Sequence, residues 1–359
     1  MGIVQAFDTA AAKPLDRARA EKLLALELLR FVSAMAVLFF HYRHFAHLQG
    51  VQPVLRQDVP LYALLWPLYD YGQFGVQVFW AISGYIFFWK YGAAIHGGAV
   101  RAGRFAWLRF SRLYPLHIAT LLAVAALQPL HRALAGADFI YPSADPGLFV
   151  RQLFMATDWG PPSPFSFNGP IWSVSAEVAV YAIFFLALRR FPPSLALCVA
   201  GVAAGLALQS LGVDWISVAC ATYFFAGGIA TVVKPRRDLA LGAVAAIAAL
   251  GWFLDVDRAG LPMLLLAILP PLIVLLSGDW PLLDRWQGPV EAAGNLTYST
   301  YLLHFPLQLL LAIFVASSGW APNLADPLFL AAYLGITIAA GLASYRWFEV
   351  PAQAWLRNR

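Results

Sequence analysis

Charge is what this sequence has least of. Only 12% of its 359 residues are charged, whereas 61% are hydrophobic. A soluble domain carries about 25% charged residues. Together with a mean hydropathy of +0.68, this composition excludes an ordinary soluble protein and indicates a polytopic membrane protein. The net charge of +5 is therefore a signal of membrane topology, and we expect no nucleic-acid partner.

Cysteine is also scarce, with only Cys198 and Cys220, both in apolar segments. This excludes a disulfide framework and a thiolate metal site, and we expect no metal. No cleavage site of small residues follows the first apolar run, so we interpret that run as a retained span and not as a signal peptide.

Long apolar runs dominate the remaining sequence. Ten segments are near the length of about 20 residues that a helix needs to cross a bilayer. They are 23–42, 74–92, 113–130, 170–189, 194–212, 215–233, 239–255, 260–277, 295–317 and 327–346. The sequence predicts an all-α polytopic membrane protein with about ten transmembrane helices and no large soluble domain. A transmembrane domain, 23–346, would lie between cytoplasmic tails at 1–22 and 347–359.

The distribution of Lys and Arg predicts the orientation. Eighteen of the 24 basic residues fall on the side of the N-terminus, five fall on the other side, and Arg30 lies within the first span. Cytoplasmic loops carry the excess of basic residues, so both termini are expected in the cytoplasm.

The first predicted span carries two ionisable side chains, Arg30 and His41, with ten residues between them. On an α-helix they would lie about 20° apart on one face and about 16 Å apart along the axis. Ionisable groups within a span usually mark a site or a pathway. The alternative is an arginine that extends to one interface and a histidine at the other.

Two arginines at the start of the third span, Arg109 and Arg112, are three residues apart and share one face of a helix. Paired guanidinium groups suit phosphate, because their planar donors match its oxygen atoms. Arg101 and Arg104, further upstream, are explained by ordinary positive-inside anchoring. The same anchoring is the alternative for the pair.

Polar residues recur in two later spans. Glu177 lies within a span and needs a partner or a polar cavity, with Ser173 and Tyr181 on neighbouring turns of the same face. His304 lies just before Pro306, a proline that frees backbone carbonyl groups. A structural hydrogen bond for Glu177 and a satisfied core position for His304 are the alternatives.

Two further stretches favour a structural interpretation. Ser83 and Gly84 are small residues that allow the close approach of helices or of a ligand, and tight helix packing is the simpler explanation. Arg346 and Glu349 form a charged pair at the end of the last span, which we interpret as a structural lock.

Taken together, these stretches resemble the integral-membrane acyltransferase-3 family, and the resemblance covers nearly the whole chain in the family's order. The family pattern of an acid, a base three positions later and a histidine after ten further residues falls on Glu27, Arg30 and His41. Its other elements fall on Gly75, Val76, Phe79, Ser83 and Gly84; on Arg109, Arg112 and Pro115; on Trp172, Ser173, Ser175, Glu177 and Tyr181; on Thr297, Tyr298, Tyr301, His304 and Pro306; and on Glu349 and Pro351. Gln77 departs from the pattern, because many members have an acid there.

The resemblance implies a membrane-bound O-acyltransferase of the bacterial inner membrane. It would move an acyl group, acetyl by expectation, from cytoplasmic acyl-CoA to a hydroxyl of a sugar, glycan or glycolipid acceptor at the periplasmic side. The implied catalytic residues are His41 and Glu177. The implied donor-binding residues are Arg30, Arg109, Arg112 and Ser83, and the implied acceptor-binding residues are Trp172, Ser173, Tyr181, Tyr301 and His304.

Two other classes of function are compatible with a membrane protein. Arg30, His41 and Glu177 would also suit a proton relay in a secondary transporter, although no internal repeat supports that function. A structural scaffold has no need for buried ionisable residues. The sequence leaves open the acceptor, the acyl group, an acyl-histidine intermediate as against direct transfer, and whether the chain forms a homo-oligomer among the lipids around it.

Overall fold

The computed structural model describes residues 23–52, 54–233 and 236–358, and within these ranges the chain is helical without any strand. The α-helices are α1 Leu24–Phe40, α2 Tyr62–Tyr71, α3 Gly75–His96, α4 Ala102–Ala135, α5 Pro146–Leu153, α6 Ile171–Arg190, α7 Leu195–Ser210, α8 Ile216–Val232, α9 Arg237–Phe253, α10 Leu261–Leu276, α11 Pro281–Asp284, α12 Gln287–Ser318, α13 Pro327–Ser344 and α14 Val350–Arg357. Short 3₁₀ helices cover His41–His47, Arg56–Asp58 and Gly72–Phe74, and a π-helix covers Tyr345–Glu349.

Six helical stretches of the described chain are long and apolar enough to cross a membrane. They are Leu24–His47, Tyr62–His96, Ala102–Ala135, Ile171–Arg190, Gln287–Ser318 and Pro327–Arg357. The helices α7, α8 and α10 are apolar but shorter. The all-α polytopic class is therefore confirmed, and each of the ten predicted segments overlaps a helix, whereas the count of about ten spans is not confirmed. The predicted tail at 1–22 lies outside the described residues.

The described chain forms two compact units. The first contains the residues up to Ser33 together with 74–102 and 177–295, and the second contains 34–73, 103–176 and 296–358. Two long helices therefore contribute to both units: α1 changes unit after Ser33, and α6 changes unit before Glu177.

The first unit is organised by a close crossing of α3 and α8. A Cβ atom added to Gly84 would lie 1.8 Å from the carbonyl oxygen of Phe224, and one added to Gly227 would lie 1.8 Å from the carbonyl oxygen of Ala81. Both glycines are required because no side chain fits where the two backbones touch. The predicted structural role of Gly84 in helix packing is thereby confirmed.

The second unit has an aromatic core. Phe45 and Phe305 are fully buried, and Tyr42 is 2% exposed. The ring of Phe45 meets that of Tyr333 edge-on, with 5.0 Å between their centroids. This packing fixes the 3₁₀ helix His41–His47 against α12 and α13, since its aromatic residues fill the space between them.

A proline in α12 makes a backbone carbonyl group available for a polar contact in the same unit. Pro306 has no N–H to donate to the carbonyl group of Leu302, four residues earlier. The side-chain amide of Asn168 donates to that carbonyl at 3.3 Å and to the hydroxyl of Thr120 at 2.9 Å. The expectation that Pro306 frees a backbone carbonyl is thus confirmed, and the freed group joins the segment before α6 to α12.

Candidate functional site

Three histidines of the second unit, His41, His44 and His304, form what we call the imidazole group. The ring centroids of His41 and His44 are 4.8 Å apart, and those of His41 and His304 are also 4.8 Å apart. His304 is fully buried, His44 is 5% exposed and His41 is half-buried. His41, whose ring contacts both others, is therefore also the least buried residue of the three.

The hydrogen bond of His41 determines where its lone pair lies. Its Nδ1 atom is 2.9 Å from the carbonyl oxygen of Val37, one turn earlier. A carbonyl oxygen only accepts hydrogen bonds, so Nδ1 carries the proton. In the neutral ring Nε2 is then the unprotonated nitrogen, and it is available to take a proton from a substrate.

His304 has the same arrangement. Its Nδ1 donates to the carbonyl oxygen of Tyr301 at 2.6 Å. Its Nε2 is buried and has no hydrogen-bond partner among the residues that the structure describes. A buried polar atom without a partner is uncommon in a folded protein, and in an active site it commonly meets a substrate or a water molecule.

Two residues predicted to bind the acceptor meet in the second unit. The hydroxyl groups of Ser173 and Tyr301 are 2.7 Å apart, and both residues are buried. Tyr301 also accepts the hydrogen bond from His304, so this pair is joined to the imidazole group through one helical turn. Trp172 is half-buried and lies 6.0 Å from Phe165, measured between ring centroids.

Arg112 of α4, one of the two arginines predicted to bind phosphate, is already paired with an acid. A nitrogen of Arg112 lies 3.6 Å from Oε2 of Glu349 in the π-helix, and its guanidinium group lies 5.8 Å from the ring centroid of Tyr298. Glu349 also accepts hydrogen bonds from the hydroxyl groups of Ser299 and Ser344. The interpretation of Arg346 as the ionic partner of Glu349 is wrong, because Arg112 takes that place.

The other predicted site residues belong to the first unit. Arg30 donates to Glu27 at 3.0 Å, and both side chains are largely buried. Glu177 is half-buried on α6, and Ser83 is half-buried beside Gly84 on α3. Tyr181 stacks on Phe87 with 4.3 Å between ring centroids, so it packs within the aromatic core of this unit.

No group of three or more His, Cys, Asp and Glu side chains that could hold a metal ion occurs in the part of the chain that the structure describes. Cys198 and Cys220 are buried and are not joined by a disulfide bond.

Comparison with known families shows to which family the chain belongs. A family model described as an acyltransferase domain, acyltransferase-3, matches residues 23–346. The chain belongs to the acyltransferase-3 family. It is therefore a membrane acyltransferase, and the resemblance noted from its motifs is confirmed.

Two curated relatives of this acyltransferase-3 protein are similar over part of their length. "Protein 2 in picA locus" of Rhizobium radiobacter is 26% identical over 178 residues, which cover 44% of this chain and 79% of that protein. "Acyltransferase MdmB" of Streptomyces mycarofaciens is 28% identical over 202 residues, which cover 52% of this chain but only 46% of that protein. No solved structure gives a significant match.

Three residues of this acyltransferase-3 protein that lie beside the site, His44, Gln308 and Tyr333, belong to none of the predicted motifs. In a 3₁₀ helix, residues three apart lie on the same side, so His44 falls beside His41. Gln308 lies one turn after His304, and that spacing was the available signal.

Proposed function

We propose that this protein transfers an acyl group, most simply acetyl, from acyl-CoA to a hydroxyl group of a sugar, glycan or glycolipid acceptor. The protein would lie in the inner membrane of a bacterium, with both termini in the cytoplasm, and the acceptor would enter from the periplasmic side. The observation that carries the proposal is the Nε2 lone pair of His41, fixed by the hydrogen bond from Nδ1 to Val37.

In the proposed reaction, His41 is the general base. The acceptor hydroxyl gives its proton to Nε2 of His41, and its oxygen forms an ester bond with the carbonyl carbon of the thioester. The carbon–sulfur bond breaks, and the thiolate of coenzyme A takes the proton from the imidazolium ring as it leaves. A transient acyl-histidine would use the same lone pair and remains the alternative route.

Neighbouring residues of the second unit support acceptor binding. The unpartnered Nε2 of His304 can accept a hydrogen bond from a second hydroxyl group of the acceptor. The paired hydroxyl groups of Ser173 and Tyr301 offer further donors and acceptors, and Trp172 offers an aromatic surface that suits a sugar ring. Hydroxyl-rich ligands match such a set, since each of these polar atoms can both orient and select them.

For the donor, we propose that Arg109 and Arg112 bind the phosphate groups of coenzyme A. Charge-assisted hydrogen bonds to guanidinium groups are among the strong contacts available to phosphate. Arg30 would contact the donor from its position beside Glu27, and Ser83 would lie along the donor's path. Glu177 would orient the base or the acceptor. Tyr181 is the weakest member of the proposed acceptor set, because its ring already stacks within the core of the first unit.

The test uses purified protein in lipid nanodiscs with acetyl-CoA labelled in the acetyl group. We expect saturable binding and slow release of labelled acetate in the absence of an acceptor, and labelled ester when hydroxyl acceptors are added. Protein inactivated by heat is the control. Absence of donor binding, together with proton-coupled uptake of a solute into liposomes, would contradict the proposal and favour a transporter.

A further inference from the structure

One side chain, Gln308, connects two of the three histidines. Its Oε1 is 2.9 Å from Nδ1 of His44, and its Nε2 is 3.0 Å from the main-chain oxygen of His41. The same Nε2 is 3.2 Å from the hydroxyl group of Tyr333. Gln308 is 1% exposed, so these bonds are made without competition from water.

The chemistry of the partners fixes the orientation of this amide. The main-chain oxygen of His41 only accepts hydrogen bonds, so the atom facing it must be the NH₂ group of Gln308. The oxygen of Gln308 therefore faces His44, and Nδ1 of His44 must be the donor. In neutral His44 the lone pair then lies on Nε2, as it does in His41 and His304.

Tyr333 completes this arrangement. Its hydroxyl oxygen lies 3.5 Å from the main-chain oxygen of Leu38, which can only accept, so the hydroxyl donates to Leu38 and accepts from Gln308. The end of α1, the 3₁₀ helix, α12 and α13 are thus linked by one continuous set of hydrogen bonds. A shift of any of these bonds would turn the His44 ring or move the main chain at His41.

We propose that Gln308 is a positioning residue, whose amide holds His44 in the Nδ1-protonated tautomer and anchors the main chain at His41, so that the imidazole group keeps its Nε2 lone pairs. The catalytic part of this inference rests on the proposed function of His41 as general base. The tautomer of His44 is a property of the folded protein and can be measured without any assay of activity.

The chain offers a matched control in Gln128, a fully buried glutamine of the same unit. Its amide also makes three hydrogen bonds, at 2.8 Å and 2.9 Å to the main-chain oxygens of Phe139 and Tyr141 and at 2.9 Å from the main-chain nitrogen of Phe139. None of these bonds goes to a histidine. Gln128→Leu therefore removes as many buried hydrogen bonds as Gln308→Leu without touching the imidazole group.

The first measurement is nitrogen NMR of the protein labelled with ¹⁵N-histidine in lipid bilayers, with the signals of His44 assigned through a His44→Gln variant. We expect a single Nδ1-protonated tautomer in the wild type and in Gln128→Leu, and a mixture of tautomers in Gln308→Leu. Gln308→Glu keeps an acceptor oxygen towards His44, so Nδ1 should remain protonated. Unchanged His44 signals in Gln308→Leu would overturn the proposal.

The second measurement is the rate of acyl transfer. We expect Gln308→Leu to lower kcat by about 10- to 100-fold, with KM for the donor changed by less than about twofold. Gln128→Leu, compared at a temperature equally far below its own Tm, should keep kcat within about twofold. Equal losses in the two variants would show that Gln308 acts only through stability and would overturn the positioning role.

The two measurements separate this inference from the proposed function. If the wild type transfers no acyl group to any hydroxyl acceptor, the proposed function fails, and the tautomer of His44 in Gln308→Leu still decides whether Gln308 holds that ring. If acyl transfer is observed and both measurements give the expected results, Gln308 positions the catalytic histidines.

Discussion

The two units of the chain are stabilised by different kinds of contact. In the first, α3 and α8 touch backbone to backbone at Gly84 and Gly227, and aromatic rings such as Phe87 and Phe224 fill the space around them. In the second, most of the buried polar side chains of the described chain occur, including His304 and Gln308. The crossing in the first unit leaves no room for an added atom. The second unit instead holds buried polar groups, which lower stability wherever they lack hydrogen bonds. The first unit is thus organised by close packing, whereas the second holds the imidazole group among buried polar side chains.

The largest expected effect concerns the glycine crossing. Gly84→Ala should destabilise the protein by more than the 1–3 kcal/mol or so of ordinary overpacking, because the new Cβ meets a main-chain oxygen that cannot move aside. The matched control is Gly242→Ala, at a helical glycine of the same unit with nothing within 4 Å of an added Cβ. This control should be neutral or stabilising by up to about 1 kcal/mol.

Thermal unfolding in detergent and the yield of folded protein measure both glycine variants. Equal Tm values for Gly84→Ala and Gly242→Ala would contradict the rigid crossing on which the description of the first unit depends.

The next effect concerns the Arg112–Glu349 pair. Arg112→Ala should weaken donor binding by about 10- to 100-fold through the loss of a charge-assisted contact. It should also lower stability by about 3–5 kcal/mol, since Glu349 is left buried without its cation. Isothermal titration with coenzyme A and thermal unfolding measure the two effects.

A second variant separates these two roles of Arg112. In Arg112→Ala/Glu349→Gln the buried charge is gone, so stability should recover while donor binding stays weak. Recovery of donor binding in this double variant would show that Arg112 acts through structure alone.

The smallest effect concerns Asp158, whose carboxyl group lies in the loop before α6 and which is 2% exposed. In the described part of the chain, its Oδ1 has no hydrogen-bond partner. Burial raises the pKa of Asp158 above its ordinary value of 3.8. The ionised form therefore destabilises the fold above the folded-state pKa, and this cost disappears as the pH falls and the group becomes protonated.

Asp158→Asn should accordingly raise Tm near neutral pH, by an amount equivalent to about 1 kcal/mol. The difference in Tm between Asp158→Asn and the wild type should shrink as the pH is lowered towards 4. A Tm difference that grows on acidification would mean that the fold stabilises Asp158 as the carboxylate. The claim that this buried acid lowers the stability of the second unit would then be wrong.

Sequence patterns revealed the local features of this molecule. The apolar runs predicted the helices, Gly84 predicted close helix packing, and Pro306 predicted a free carbonyl group. Each of these features depends on a few consecutive residues. The family motifs pointed to His41 and His304, although 262 residues separate them.

The rest depended on the tertiary structure. Gln308 and Tyr333 belong to no motif, and their meeting with His44 depends on how α12 and α13 pack against the 3₁₀ helix. His44 lies beside His41 because residues three apart share one side of a 3₁₀ helix, whereas α-helical geometry would turn them about 60° apart. The partner of Glu349 was misassigned because the nearest arginine in sequence is not the nearest in space.

The most direct test of the account compares acyl transfer and donor binding in His41→Ala with those in His47→Ala. His47 is an exposed histidine of the same 3₁₀ helix, so its replacement controls for the loss of an imidazole from this segment. With labelled acetyl-CoA and a hydroxyl acceptor, His41→Ala should lose at least about 100-fold in kcat while it binds coenzyme A as the wild type does. His47→Ala should transfer normally. Normal transfer by His41→Ala would contradict the central claim that Nε2 of His41 is the base, and His304 would then be the histidine to test.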